Sequence, residues 1–353
     1  MSKALIVLDT HLNFDFRENT SFFSVTFTSF TFQTGSVKLS QKAFSMLPSL
    51  KYTFSGHDSF QCRLLWLKKG YDYLREGRSF TADDAPVILG VGNNMVRAIK
   101  HWLRAFGLVD ETTDTPTKLA NLIFGGRGAD APFDAFLEDN ATLWLLHYQL
   151  VKTRFASTYW VIFNEFRKRK IEFTREDYGR FIEQKGREEG FSISPKSIVD
   201  DFGVFLKMYY RGTTERGTKT KDREDNFSGI LTELNLVHSF PRKTEDGKGE
   251  IPVYVVTPSD RDDIPADWIL YCLLDSPSIG LSVSLEMLEN DPGMPCALFA
   301  MNRAGLRRKI EQLVSQYDFL TYNDQAGVRE LQFREKPADK YQVLRDYYVP
   351  ANV

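Results

Sequence analysis

Between Phe54 and Phe60 the sequence reads FSGHDSF, and His57, Asp58 and Ser59 set an imidazole, a carboxylate and a hydroxyl side by side. Phosphodiester cleavage asks for such groups: His57 as a base toward water, Asp58 as a ligand for magnesium or manganese. The same residues suit a helix entrance, with Asp58 or Ser59 capping open backbone donors and His57 contacting a neighbouring carbonyl. Other carboxylates come in pairs at Asp83 and Asp84, Glu138 and Asp139, Asp200 and Asp201, and as the D-x-D of Asp260 and Asp262. Adjacent helical residues point about 100° apart, so one pair does not chelate an ion by itself. A cleavage site would have to be assembled from distant segments. No HNH-like, HKD-like or carboxylate–Lys nuclease series is present, and the metal ligands stay unassigned.

The second chemistry is contact with a phosphate-rich polymer. Residues 82–110, ADDAPVILGVGNNMVRAIKHWLRAFGLVD, predict a short helix, a turn at Gly90-Val91-Gly92 and a second helix entered at Asn93. Val96, Ile99, Leu103 and Phe106 recur three or four apart and make one buried stripe. The opposite face carries Asn93, Arg97, Lys100, His101 and Arg104, and Gly107 stops the helix. A helix–turn–helix with a basic outer face suits insertion into a DNA major groove, whereas an ordinary amphipathic helix would leave the same cations solvated. A long helix over 302–317 bears Arg303, Arg307, Arg308 and Lys309. The expected DNA contacts are Asn93, Asn94, Arg97, Lys100, His101, Arg104, Arg307 and Arg308. Arg167-Lys168-Arg169-Lys170 is a surface cation run, open to phosphate or simply to solvent.

These groups need a frame, and the composition supplies one. A chain of 353 residues with 42% hydrophobic residues can build two or three packed domains. A formal net charge of -2 excludes a uniformly basic protein, so nucleic-acid binding has to rest on local patches. Cys62, Cys272 and Cys296 lie far apart without a CxxC or a nearby His pair, which disfavours a zinc module or disulfide framework and fits a reducing cytoplasm. No run of eighteen apolar residues predicts a membrane span.

The expected fold is mainly α with small β wings, in tandem helix–turn–helix or winged-helix-like units. Residues 1–45 read as a loosely ordered or non-native extension, since TSFFSVTFTSFTF (20–32) has few aliphatic residues to build on, and Met46 is an alternative start. The first unit spans 46–130: a helix capped by Ser59, the helix–turn–helix, a helix from Thr117 to Phe124 and the turn Gly125-Gly126-Arg127-Gly128. The second spans 131–258. Its first half is helical and aromatic, with Tyr159, Trp160 and Phe163 as core. Thr174 with Asp177 forms a capping box, and Ser194-Pro195 opens the next helix. RGTTERGTKTKDR (211–223) reads as a mobile loop, 227–237 as a helix, and strands over 237–242 and 251–257 flank a turn. The third unit, 259–353, repeats the order with helices over 266–274, 284–288 and 302–317 and a hairpin over 318–322 and 328–333.

The order FSGHDSF, WLKKGYDYL, LGVGNNMVRAIKHWLRAFGLV, FLEDNATLWLLHYQLV, FNEF and FTRED resembles the SspB component of bacterial DNA phosphorothioation systems, from about Phe54 to about Val237. The LGVGNNMVRAI block is its most specific part. The resemblance implies partners, namely a cysteine desulfurase, an ATP-pyrophosphatase-like sulfur transferase and an ATPase, which together replace a non-bridging phosphate oxygen by sulfur. It also implies a DNA-nicking endonuclease acting in phage defence. The alternative is a non-catalytic DNA-binding adaptor, or a protein–protein scaffold, that positions the sulfur-transfer enzymes.

Overall fold

Trp66, Leu67 and Tyr71 are spaced for one helical face, and α1 (Trp66–Arg75) buries all three. The computed structural model describes residues 52–125, 131–210, 229–244, 246–325 and 327–349. The aromatic stretch 20–32, Met46, the turn at Gly126–Gly128 and the basic loop 211–223 lie outside the described residues. The helix does not begin at Ser59 as expected. Ser55, Asp58 and Ser59 all have positive φ (67°, 46° and 63°), a path no helix follows. Ser59 instead donates its backbone N–H to His57 Nδ1 at 3.1 Å.

After α1 come α2 (Ala85–Leu89), the turn at Gly90-Val91-Gly92 and α3 (Asn93–Ala105). Gly90 caps α2 at φ 63°, where a side chain would be strained. Gly70 of α1 sits on α3 so closely that a Cβ there would lie 2.7 Å from Ile99 and Leu103. Val96, Ile99 and Leu103 face inward as the spacing predicts, joined by Ala98 and Trp102, with Phe106 buried just past the helix end. Thr117 then caps α4 (Lys118–Phe124) by accepting from Ala120 N–H.

The middle of the molecule is α5 (Asn140–Thr153), apolar nearly all round and buried from Ala141 to Val151. A helix of that kind belongs at the centre of a core. It is followed by α6 (Ser157–Val161), a π-helical turn (Ile162–Phe166) and α7 (Arg167–Arg169). Two cycles with one connectivity follow. In the first, β1 (Glu172–Phe173) leads into α8 (Arg175–Glu189) and α9 (Pro195–Tyr209), then β2 (His238–Lys243) and β3 (Glu250–Val255). Its antiparallel sheet has the order β1-β3-β2, with Phe173 opposite Tyr254. In the second, α10 (Ala266–Asp275) precedes β4 (Ser282–Ser284), α11 (Leu285–Asn290), α12 (Pro295–Leu298), α13 (Arg303–Gln316), β5 (Leu320–Gln325), β6 (Val328–Phe333) and α14 (Gln342–Tyr348). Its sheet order is β4-β6-β5, again antiparallel.

The start signals at Thr174 and at Ser194-Pro195 hold. Thr174 and Asp177 form the reciprocal capping box of α8, Ser194 caps α9 ahead of Pro195, and Asn302 caps α13. Of the helix expected over 227–237, the described residues 229–237 show only a 3-10 turn, Thr232–Leu234, closed by Asn235 at φ 47°. The architecture is mainly α with two small three-stranded sheets. One large buried cluster runs from Cys62 to Leu344, and a second, small one joins Tyr73, Ala85, Leu89 and Val96 beneath α2. Among the described residues no helix is long and apolar enough to cross a membrane.

Candidate nucleic-acid interface

The outer face of α3 presents Asn93, Asn94 and Arg97 to solvent, with Lys100 and Arg104 half-buried on the following turns. Each cation already holds a carboxylate. Arg97 Nε donates to Asp58 at 2.8 Å, and its Nη2 donates to Asn94 Oδ1 at 2.8 Å. Lys100 meets Asp114 Oδ2 at 2.7 Å, while Arg104 reaches Asp114 Oδ1 through Nη2 at 2.6 Å and Nε at 3.0 Å. Partial burial opposes ionisation of Asp114, but its hydrogen bonds to Lys100 and Arg104 outweigh that and hold its pKa below the ordinary value. Asp114 was not among the expected site residues. The polar DETTDTP run directly after the helix was the available signal.

His101 departs from expectation. It is buried, although it lies only about 40° round the helix axis from Arg97. The loop over 54–60 covers that flank: a Cβ on Gly56 would lie 2.8 Å from His101 Nδ1, and Phe155 packs against the ring. Burial first, then the charges of His57 and Arg104, lower its pKa to about 3. His101 therefore belongs to the core side of α3 and not to the outer face.

His57 and Asp58 point to different places. His57 is buried, stacks on Trp102 with ring centroids 6.0 Å apart, and sets Nε2 2.9 Å from Asp201 Oδ1. With Nδ1 accepting from Ser59 N–H, both ring nitrogens are engaged. Asp201 also accepts from Ser55 N–H at 2.9 Å and Thr158 Oγ1 at 3.2 Å. This network anchors the loop to α9. Asp58 turns outward to Arg97 instead. The structure thus brings Asp58 to the α3 face and takes His57 away from it.

The second candidate surface is paired too. On α13, Arg307 binds Glu311 at 3.0 Å and Arg308 bridges Asp260 at 2.5 Å and Asp262 at 3.0 Å. The D-x-D therefore chelates a guanidinium. Lys309 is buried and donates to the Asp262 carbonyl at 3.1 Å. The cation run after the π-helical turn is not a surface run throughout: Arg167 is buried, donating to the carbonyls of Phe163, Cys296 and Ala297 at 2.9, 2.7 and 3.1 Å. Among the other acid pairs, Asp139 caps α5, Asp84 faces Arg78 at 3.8 Å, and Asp83 and Glu138 are exposed. Among the described residues, no three His, Cys, Asp or Glu side chains gather to hold a metal ion.

Residues 54–348 match the family described as protein of unknown function (DUF4007). The chain belongs to that family. The magnesium ion-bound SspB crystal structure is similar to this DUF4007 protein at 30% identity and a TM-score of 0.69, covering 84% of this chain and 88% of SspB. A second SspB crystal structure matches at 28% identity and a TM-score of 0.67, with the same coverage. No curated protein matches the chain. The resemblance to the SspB component of DNA phosphorothioation systems, read from the LGVGNNMVRAI block, is borne out, and it extends beyond Val237 almost to the end of the chain.

Proposed function

We propose that this SspB-like component of a phosphorothioation system binds duplex DNA, with α3 lying in or along the major groove. The carrying observation is the alignment of Arg97, Lys100 and Arg104 on the uncovered face of a helix that follows a three-residue turn. The connectivity of the two sheet-bearing cycles supports it: helix, strand, helices, strand, strand, with the first strand pairing the last, is the order of a winged helix. In this reading the helix–turn–helix of 46–130 and the winged-helix-like units of 131–258 and 259–353 present one duplex to the cysteine desulfurase, ATP-pyrophosphatase-like and ATPase partners. Magnesium belongs to the solved relative. Among the described residues no three His, Cys, Asp or Glu side chains gather, the two carboxylates that converge, Asp260 and Asp262, hold Arg308, and His57 and Asp58 diverge, so those two do not form one nicking site.

Binding of a short labelled duplex, followed by fluorescence anisotropy across a salt series, tests the reading. Each phosphate that α3 neutralises contributes about -0.9 to the log–log salt slope. Replacing Arg97, Lys100 and Arg104 together by Ala should remove most of the affinity and flatten that slope. A triple variant that binds as the wild type does would refute the assignment.

A further inference from the structure

Resting on the DNA-binding reading above, we propose that Asp58 and Asp114 occupy, in the free protein, the places of two DNA backbone phosphates, so that duplex binding exchanges carboxylate for phosphate. The geometry of the pairs is that of phosphate recognition. Asp114 takes two N–H groups of Arg104 on one oxygen and the Lys100 ammonium on the other, as a phosphate with two free oxygens would. Asp58 takes the Nε edge of Arg97. Arg97 and Arg104 are seven residues apart, about 10 Å along the axis, so the two carboxylates address separate parts of the helix face.

Neither acid is there by helix chemistry. Both lie outside α3, on loops that flank it, and both adopt left-handed backbone (φ 46° at Asp58, 56° at Asp114). The loop carrying Asp114 is braced. Asp110 Oδ1 accepts from the N–H groups of Thr112 and Thr113 at 2.9 and 2.8 Å, and the Asp110 carbonyl accepts from Asp114 N–H at 3.0 Å. The loop over 54–60 is braced by the His57–Asp201 pair. Yet the carboxylates themselves remain open to solvent, with side chains 31% and 30% exposed. The exposed Arg97–Asp58 pair costs only a fewfold in equilibrium to open, and the half-buried Asp114 cluster costs more. A duplex, with its dense line of charge, can displace them; a lone acidic side chain on another protein is no better a partner than the one already present.

The test compares wild type, the Asp58→Asn/Asp114→Asn double variant, Asp83→Asn and the triple Ala variant in the same anisotropy assay. Asp83 is exposed and holds none of the α3 cations, so it reports the effect of one unit of net charge, doubled for comparison with the double variant. The double variant should bind about three- to thirtyfold tighter than wild type, and Asp83→Asn less than about twofold tighter. Its salt slope should also steepen, because displaced carboxylates no longer take up cations as phosphates release them. Should the double variant match Asp83→Asn, or bind more weakly, while the triple Ala variant loses binding, the exchange is refuted and the DNA reading survives. Should the triple variant bind as wild type does, both fall together. If the Asp114 substitution disturbs folding by circular dichroism, Asp58→Asn alone carries the same comparison on the exposed Arg97 pair.

Discussion

Two histidines make stability sensitive to mild acid. His101 and His147 are buried, and desolvation lowers each pKa from 6.5 to about 3, assisted at His101 by His57 and Arg104; at His147 the hydrogen bond to the Leu298 carbonyl works the other way. The unfolded chain takes up a proton at each site below about pH 6.5, whereas the folded protein does not until near pH 3, so protons favour unfolding throughout that window. Stability is complete above pH 6.5 and falls as pH drops toward 3. From pH 7.5 to 5.0 each site costs about 2 kcal/mol, about 4 kcal/mol for both. For the compact unit Lys51–Val353, that lowers the melting temperature by about 6 °C, at about 2 cal/mol/K of unfolding entropy per residue. Low-pKa carboxylates such as Asp177 and Asp339, both held at about 2, add their losses mainly below pH 5. Differential scanning calorimetry at about pH 7.5, 6.5, 5.5 and 5.0 reads the effect. His147→Gln keeps a donor for the Leu298 carbonyl and should halve the slope of stability against pH, whatever its effect on absolute stability. A melting temperature unchanged between pH 7.5 and 5.0, or a slope unaltered in His147→Gln, would refute the account.

Two further substitutions probe the frame under the candidate interface. Gly70→Ala puts a methyl 2.7 Å from Ile99 and Leu103, so those side chains must shift or α1 and α3 separate; overpacking of this kind costs about 1–3 kcal/mol, read as a shift in urea midpoint at unchanged m-value. A midpoint equal to wild type would show that the seam has room. Asp201→Ala strips the buried His57 of its carboxylate, orphans the Ser55 N–H and leaves the Thr158 hydroxyl only its Tyr178 partner, with a loss of about 1–3 kcal/mol expected in the same assay. The loop over 54–60 should also become protease-sensitive, and a variant as resistant as wild type would contradict its role as anchor.

What the sequence made legible was local. Thr117, Thr174 with Asp177, Ser194 with Pro195 and Asn302 each announce a helix through a side chain that accepts from its own first turn, a signal contained in four residues. The inward stripe of α3 follows from spacing alone, and the Gly90 turn from the one residue that tolerates its φ. Two misses are local, the start at Ser59 and the helix over 227–237, where the backbone turns left-handed at Asp58, Ser59 and Asn235; the others involve partners far along the chain. Arg167 looks like a surface cation until α12, some 130 residues later, presents the Cys296 and Ala297 carbonyls to it. His57 looks free until Asp201 arrives on α9. His101 sits at the edge of the polar arc, and only the path of the 54–60 loop decides which side it joins.

The same distinction bears on the candidate interface. Residue type and helical phase put Arg97, Lys100 and Arg104 on one face, and exposure alone would make them free cations. Each is instead within 3 Å of a carboxylate that no periodicity could place, and Arg307 and Arg308 on α13 are similarly held. Under the DNA-binding proposal, pre-paired cations on a slightly acidic chain set up a competition between two anions for one guanidinium, not attraction between a bare patch and a polymer. Affinity is then set by the difference between a tethered carboxylate and a phosphate. That difference is small for exposed pairs, so modest changes at Asp58 or Asp114 should move binding more than equal changes in the protein's overall charge.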